Sequence, residues 1–276
     1  MFATQSARQK KHEMIDIGVN LTNSQLHNQI PEVLESAYIA GVDQIVVTGT
    51  DLQASINALH ICEKYQSDTY PVLYSTAGVH PHDAKDWNQE TERHIRELLT
   101  NPRVVAVGET GLDFNRNYSP QEDQIKAFEA QLEIAIDTKK PLFLHERDAF
   151  DIQIKILKNY GGVLPPVVIH CFTGDRDSLQ GYLENGFYIG ITGWVCDERR
   201  GKQLADIVSD IPLNRLMIET DAPFLLPRNI IPKPKSRTNY PVYLPWVAKK
   251  LAECYRLSGT DIEKATKNNA RLFFNI

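Results

Sequence analysis

The stretch VVAVGETGLD (residues 104–113) decides the fold. Its apolar residues run continuously and end on a glutamate, Glu109. Continuous apolar runs mark strands covered on both faces, as in parallel sheets. A carboxylate at the end of such a strand is costly without a partner. Gly108 lets the backbone crowd close before it, and Gly111 permits a sharp turn after it. The pattern recurs downstream. PLFLHE brings His145 to a strand end, VVIHCF brings His170, and LMIETDAP carries Glu219 and Asp221. Acids and imidazoles at the ends of successive buried strands imply one shared partner, and a divalent cation is the simplest.

Working outward, eight strand-like runs appear between residues 15 and 220: IDIGVNL, QIVVTG, VLYSTAGV, VVAVGE, PLFLH, VVIHCF, FYIGITGW and RLMIET. Segments of helical period separate them. In residues 119–140 the apolar positions Ile125, Phe128, Leu132 and Ile136 share one face. Ser119, Pro120 and Glu122 read as its capping-box start, and Thr260 with Glu263 as that of a last helix. Eight βα units in a chain of 276 residues match an α/β (β/α)8 TIM barrel of the amidohydrolase-like, metal-dependent hydrolase type. A doubly wound open sheet is the structural alternative, but its G-x-G-x-x-G loop after the first strand is absent. Residues 14–276 are expected to form a single barrel domain, and the polar, mildly basic residues 1–13 a flexible N-terminal extension or an upstream start.

The bulk composition is ordinary for a globular chain, with 42% hydrophobic and 24% charged residues. No stretch approaches the ~20 apolar residues that span a bilayer, so no membrane partner is expected. A net charge of -5 excludes a wholesale basic surface, though a local patch or a metal can still attract nucleic acid. None of the four cysteines lies in a C-x-x-C pair, which fits a reducing, cytoplasmic compartment.

In a parallel barrel, polar residues at the C-terminal ends of strands read as catalytic. Glu109, His145, His170 and Asp221 are the metal-ligand candidates, with Asp221 and Glu109 the catalytic pair. Asp221 can both ligate a cation and accept a proton from water. Glu219, Asp16 and Asn20 are expected behind them, Asp16 pointing inward if the strand pleat holds. Glu219 is read as a partner of Asp221 or as a buried structural acid. His80 and His82, in GVHPH, and Arg199 and Arg200, in CDERRG, are candidates for substrate contact. For the arginines, pairing with Asp197 and Glu198 on a solvated helix is an equal alternative. Asp113 and Arg116 read as a surface pair. The long irregular segment of residues 222–241, with Arg228, Lys233, Lys235 and Arg237, should lie on the same face. Phe114, Phe172, Trp194 and Phe224 lie just past strand ends, where they either stack on bases or pack between loop and barrel.

Seven stretches in order, DIGVNL, STAGVHPHD, GETGLDFNRN, HERD, HCFTG, GITGWVCDERRG and IETDAPFLLPR, resemble the TatD family of metal-dependent deoxyribonucleases. The resemblance covers nearly the whole chain from Met14 onward. It implies metal binding by Glu109, His145, His170 and Asp221, with Mg2+ foremost, Mn2+ or Zn2+ as alternatives, and one or two ions. It also implies 3′→5′ exonuclease action on single-stranded DNA, with RNA as a further substrate; the sequence shows no exposed heptad or dimer face, so no obligate protein partner is inferred. Many members carry H-x-H at the end of the first strand, where this chain reads Gly18-Val19-Asn20. With those two ligands missing, the number of ions is open. The rival readings are a metal-dependent amide or ester hydrolase on the same barrel, and a non-catalytic metal-binding barrel.

Overall fold

Along each strand the side chains alternate between two packing environments, as the pleat requires. Phe143, Val168 and Met217 pack with Ile15, Ile17, Val46 and Val105 in an inner cluster, while their neighbours Leu142, Leu144, Val167, Ile169, Leu216 and Ile218 pack in an outer one. In the computed structural model, which describes residues 13–276, the inner cluster fills the bore of a barrel. Apart from Glu13, the expected N-terminal extension lies outside the described residues.

The strands are β1 (Met14–Val19), β2 (Val42–Val47), β3 (Val72–Ala77), β4 (Val104–Asp113), β5 (Leu142–Arg147), β6 (Val167–Ile169), β7 (Tyr188–Ile191) and β8 (Leu216–Ile218). They pair in sequence order, every pair parallel. The final seam closes beyond the short β8, where Val19 bridges Ala222. Asn20 N–H donates to the Ala222 carbonyl at 2.8 Å and Asp221 N–H to that of Gly18 at 2.9 Å. Helices cover the outside, and the last one, Gly259–Phe274, sends Ala270, Phe273 and Phe274 against the inner cluster. That apolar floor leaves the C-terminal strand ends as the open mouth.

Both capping-box expectations shift. The helix Gln121–Thr138 has Pro120 at its N-cap without a side-chain cap. Ser119 is engaged elsewhere, donating to the His82 carbonyl at 2.7 Å and accepting from Lys85 N–H at 3.1 Å. The last helix is capped two residues earlier than expected, by Ser258 accepting from Asp261 N–H at 3.1 Å. Ser258, not Thr260, stands where a hydroxyl accepts an orphan N–H of the first turn, so local pattern alone misplaced the start.

The expectation for Asp16 also fails on the pleat. Its neighbours Ile15 and Ile17 face the bore, and alternation along the strand sends Asp16 the other way. The carboxylate therefore turns to the outer side, where it accepts from Thr220 N–H at 2.8 Å and Thr220 Oγ1 at 2.6 Å. Burial pushes its pKa up to about 8 against those donors. Its role is to tie the two ends of the seam, one residue before Asp221.

Candidate metal centre

The pleat that puts Phe143, Val168 and Met217 in the bore brings His145, His170 and Glu219, two residues further on, to its mouth. There they meet Glu109. One oxygen of Glu109, Oε1, faces three imidazoles: His170 Nε2 at 2.7 Å, His145 Nδ1 at 3.1 Å and His80 Nε2 at 3.3 Å. Glu109 is only 6% exposed. Burial alone would raise its pKa, but His170 and His80 and the bonds from His145 and His170 hold it well below the usual carboxylate range.

Each of two rings lies between two acids. His170 offers Nδ1 to Glu219 Oε2 at 3.3 Å and Nε2 to Glu109, and His145 offers Nε2 to Asp113 Oδ2 at 3.3 Å and Nδ1 to Glu109. Burial works against their charged forms, yet the carboxylates raise both pKa values, that of His170 strongly. The buried acids thus demand a positive charge at this point. Protons on the imidazoles supply it in the bare protein, and a divalent cation can replace them. Glu219 accepting from His170 Nδ1 leaves Nε2 beside Glu109 for such an ion, the carboxylate–histidine arrangement common behind metal ligands.

His80, Glu109 and His145 place one ligand-type atom each within 4.8 Å of one another. His80 nevertheless suits ligation poorly. Its Nδ1 accepts from His82 N–H at 3.0 Å, and burial pulls its pKa down to about 4. A neutral ring that accepts at Nδ1 carries its proton on Nε2, so it presents a donor toward Glu109 rather than a lone pair.

Glu219 fills the place where an H-x-H histidine would start. A Cβ on Gly18 would lie 2.3 Å from Glu219 Oε2, and one on Gly190 2.7 Å from Oε1. Its other tie is Cys171 N–H, which donates to Oε1 at 2.5 Å. Glu219 therefore partners His170 rather than Asp221. Asp221 is set by a turn, not by strand alternation, since β8 ends at Ile218 and Asp221 takes φ 53°. Asn20 Nδ2 donates to its Oδ1 at 2.9 Å. Burial, with Glu109 and Glu219 adding to it, pushes the Asp221 carboxyl up to about 7 against the opposing effects of His170 and Asn20.

Asp113, expected at the surface with Arg116, is instead a buried member of the cluster. Its Oδ2 meets His82 Nε2 at 2.9 Å as well as His145, and its Oδ1 accepts from the backbone N–H groups of Asn115 at 3.1 Å and Arg116 at 2.9 Å, not from the Arg116 guanidinium. Glu109 and Asp113 are four residues apart on one strand, a spacing that shares a face, and that signal was available. Three buried glutamines were also missed. Gln131 accepts from Val79 N–H at 2.8 Å and donates to Thr110 Oγ1 at 2.7 Å. Gln124 accepts from Asp113 N–H at 2.8 Å, and Gln153 from Leu112 N–H at 3.0 Å. They fix the β4 end and the turn that carries His80. Gln124 and Gln131, seven residues apart on an otherwise apolar helix face, were the cue.

The remaining candidates divide. Arg199 and Arg200 lie in a loop before the helix Lys202–Ile207, not on it. Arg200 Nε pairs with Asp197 Oδ2 at 3.0 Å, and Arg199 gives Asp197 only its backbone N–H. Phe172 is core, Phe114 and Trp194 pack partly against the core, and Phe224 is 46% exposed. Lys233, Lys235 and Arg237 are exposed on the long loop after β8.

The family model for TatD-related DNase matches residues 15–275. A 3′-5′ ssDNA/RNA exonuclease TatD from Edwardsiella piscicida is 48% identical over 263 residues, covering 95% of this chain and 100% of the relative. The protein of that name from Escherichia coli K12 is 46% identical, covering 95% and 99%. Among solved structures, a TatD homologue from Escherichia coli K12 superposes with a TM-score of 0.85 at 28% identity, covering 95% of this chain and 98% of that one. A match that runs from β1 through the last helix leaves no part of the barrel unaccounted for, and the chain belongs to the TatD-related DNase family.

Proposed function

We propose that this protein is a divalent-metal-dependent 3′→5′ exonuclease that hydrolyses phosphodiester bonds of single-stranded DNA, and of RNA. One observation carries the reading: three imidazoles converge on a single oxygen of the buried Glu109 at the mouth of the barrel. The near-full-length likeness to relatives named for that activity supports it.

Glu109, His145, His170 and Asp221 would hold the ion, one or two; the carboxylates admit Mg2+, taken as foremost from the family likeness, or Mn2+, and the imidazoles suit Zn2+. A bound cation here supplies charge neutralisation at the phosphoryl oxygens and a more acidic water. The chain's own groups do the rest. Asp221, oriented by Asn20, takes the proton from the attacking water. Glu219 and Asp113 keep the rings of His170 and His145 aimed. His80 and His82, held at the mouth beside Glu109 and Asp113, contact the substrate, and Arg199 and Arg200 face the flanking backbone. Residues 14–276 act as one catalytic domain. Among the described residues no helix is long and apolar enough to cross a membrane, and four free cysteines suit a reducing cytoplasm.

The test is a screen of Mg2+, Mn2+, Zn2+, Co2+ and Ni2+ on end-labelled single-stranded oligonucleotides, with Glu109→Ala as control. Mononucleotide release from the 3′ end, lost in Glu109→Ala and lost on chelation, is expected. Asp221→Asn should fold and keep much of its metal while losing most turnover. No cleavage with any of these ions, alongside turnover of small amides or esters, would overturn the reading.

A further inference from the structure

The loops after β7 and β8 share a charge cluster outside the metal centre. Asp197 is 3% exposed; its Oδ2 accepts from Arg200 Nε at 3.0 Å and forms an ion pair with Arg228, whose Nε lies 3.0 Å away. Its Oδ1 is taken by the backbone N–H groups of Arg199 at 3.0 Å and Arg200 at 3.1 Å. The arrangement holds Asp197 below the usual carboxylate range, since these donors outweigh its burial. Arg200 is pinned a second time, with its guanidinium carbon 4.5 Å from the centre of the Trp194 ring. The two loops are in backbone contact as well: a Cβ on Gly193 would lie 2.1 Å from the Leu225 carbonyl oxygen.

One carboxylate cannot neutralise two guanidinium groups, so the cluster keeps a net positive charge. Each guanidinium meets Asp197 through its Nε. Among the described residues, the terminal nitrogens of both make no other protein hydrogen bond, and their side chains are 59% and 50% exposed. Two planar forks are thus held side by side with their outer N–H edges free. This geometry matches a tetrahedral oxyanion, because guanidinium groups bind phosphate through paired, parallel hydrogen bonds. It does so with little ordering cost, because Asp197 and Trp194 have already fixed the side chains. Both loops leave the C-terminal ends of their strands, so the cluster faces the same side as Glu109.

From this we infer that Arg200 and Arg228, locked by Asp197, form a clamp for one backbone phosphate of a single-stranded nucleic acid, at a linkage other than the one being cut. The inference rests on the exonuclease reading for its ligand and deepens it by adding Arg228 as a binding residue and Asp197 as a positioning residue. A mere tie between two loops would leave the arginine edges indifferent to phosphate.

The experiment measures binding of a 5′-dye-labelled oligo(dT) strand by anisotropy in EDTA, where cleavage does not interfere. One phosphate at a time is replaced by an uncharged methylphosphonate. Wild-type protein should lose affinity by about tenfold at one particular linkage. In Arg200→Ala/Arg228→Ala that step should vanish, and the salt dependence of log Kd should flatten by about 0.7 for the lost phosphate. Asp197→Asn should blunt the step without removing it. Where the double variant unfolds, Arg200→Gln and Arg228→Gln singly provide the same reading. Identical methylphosphonate profiles in wild type and folded variants, or no binding of the strand at all, would overturn the clamp. A wild type that binds with the stepped profile but cleaves with no divalent ion would sink the exonuclease reading alone.

Discussion

His170 and Glu219 meet through Nδ1 and Oε2 at 3.3 Å, and the same glutamate accepts the Cys171 N–H at 2.5 Å, so one buried acid fixes both the tilt of the ring and the backbone that follows it. Cys171 takes φ 47°, a region that a side-chain-bearing residue occupies only when its surroundings hold it there. Glu219→Gln should therefore weaken metal affinity by about 10- to 100-fold, the range usual for a partner behind a histidine ligand. Isothermal titration with Mn2+ reads this directly. An unchanged affinity would mean that the ring is aimed by Phe143, which stacks on it at 4.4 Å, alone.

Cation binding should release protons. His145 and His170 both have raised pKa values in the bare protein, because the acids around them outweigh burial. As pH falls the imidazoles fill with protons that compete with the ion, so apparent affinity should fall with pH. For the metal-free fold the signs run oppositely for the two partners. A raised imidazole adds stability that is complete below its unfolded pKa and fades as pH climbs through the folded one. The depressed Glu109 adds stability above the unfolded carboxylate range that fades only at strongly acidic pH. Melting in EDTA should accordingly show highest stability in the mildly acidic window between them, and excess Mn2+ should move the optimum upward. Calorimetry in buffers of different ionisation enthalpy counts the protons; a count of zero would contradict the assignment of charge.

Gly18→Ala should destabilise the fold by about 1–3 kcal/mol, the usual cost of forcing atoms into a filled interior. The new methyl would have to displace Glu219 Oε2, 2.3 Å from the ideal Cβ, in a fully buried site. Urea denaturation gives the stability, and the metal titration should weaken in parallel. A neutral substitution would show that Glu219 can move aside, and with it the explanation for a glycine at this position.

Gln131→Met keeps the volume but strips the bonds to the Val79 N–H and carbonyl and to Thr110 Oγ1. Leaving those buried groups unpaired should cost about 1–3 kcal/mol. The turn carrying His80 should also loosen, which hydrogen exchange at Val79 would reveal. Full protection there would assign the turn's rigidity to the Thr50 carbonyl, which accepts from His80 N–H at 2.8 Å.

The order of strands, their parallel pairing and the identity of the groups at their C-terminal ends were legible in the chain, because a buried strand writes itself as an unbroken apolar run. The polar residue that ends VVAVGE, PLFLH or VVIH then stands out against it. Which acid serves which ring was not legible. Glu219 pairs with His170 across 49 positions and Asp113 with His145 across 32, and no local pattern encodes such distances. Asp16 turns outward because Ile15 and Ile17 take the bore, and it meets its partner Thr220, 204 positions away, only when the seam closes. His80 became a donor only through the His82 N–H bond that the turn sets up. Residue type and period depend on burial and pleat, which act over a few residues; partner choice depends on how a closed cylinder superimposes its strand ends, and that is decided only when all eight strands are in place.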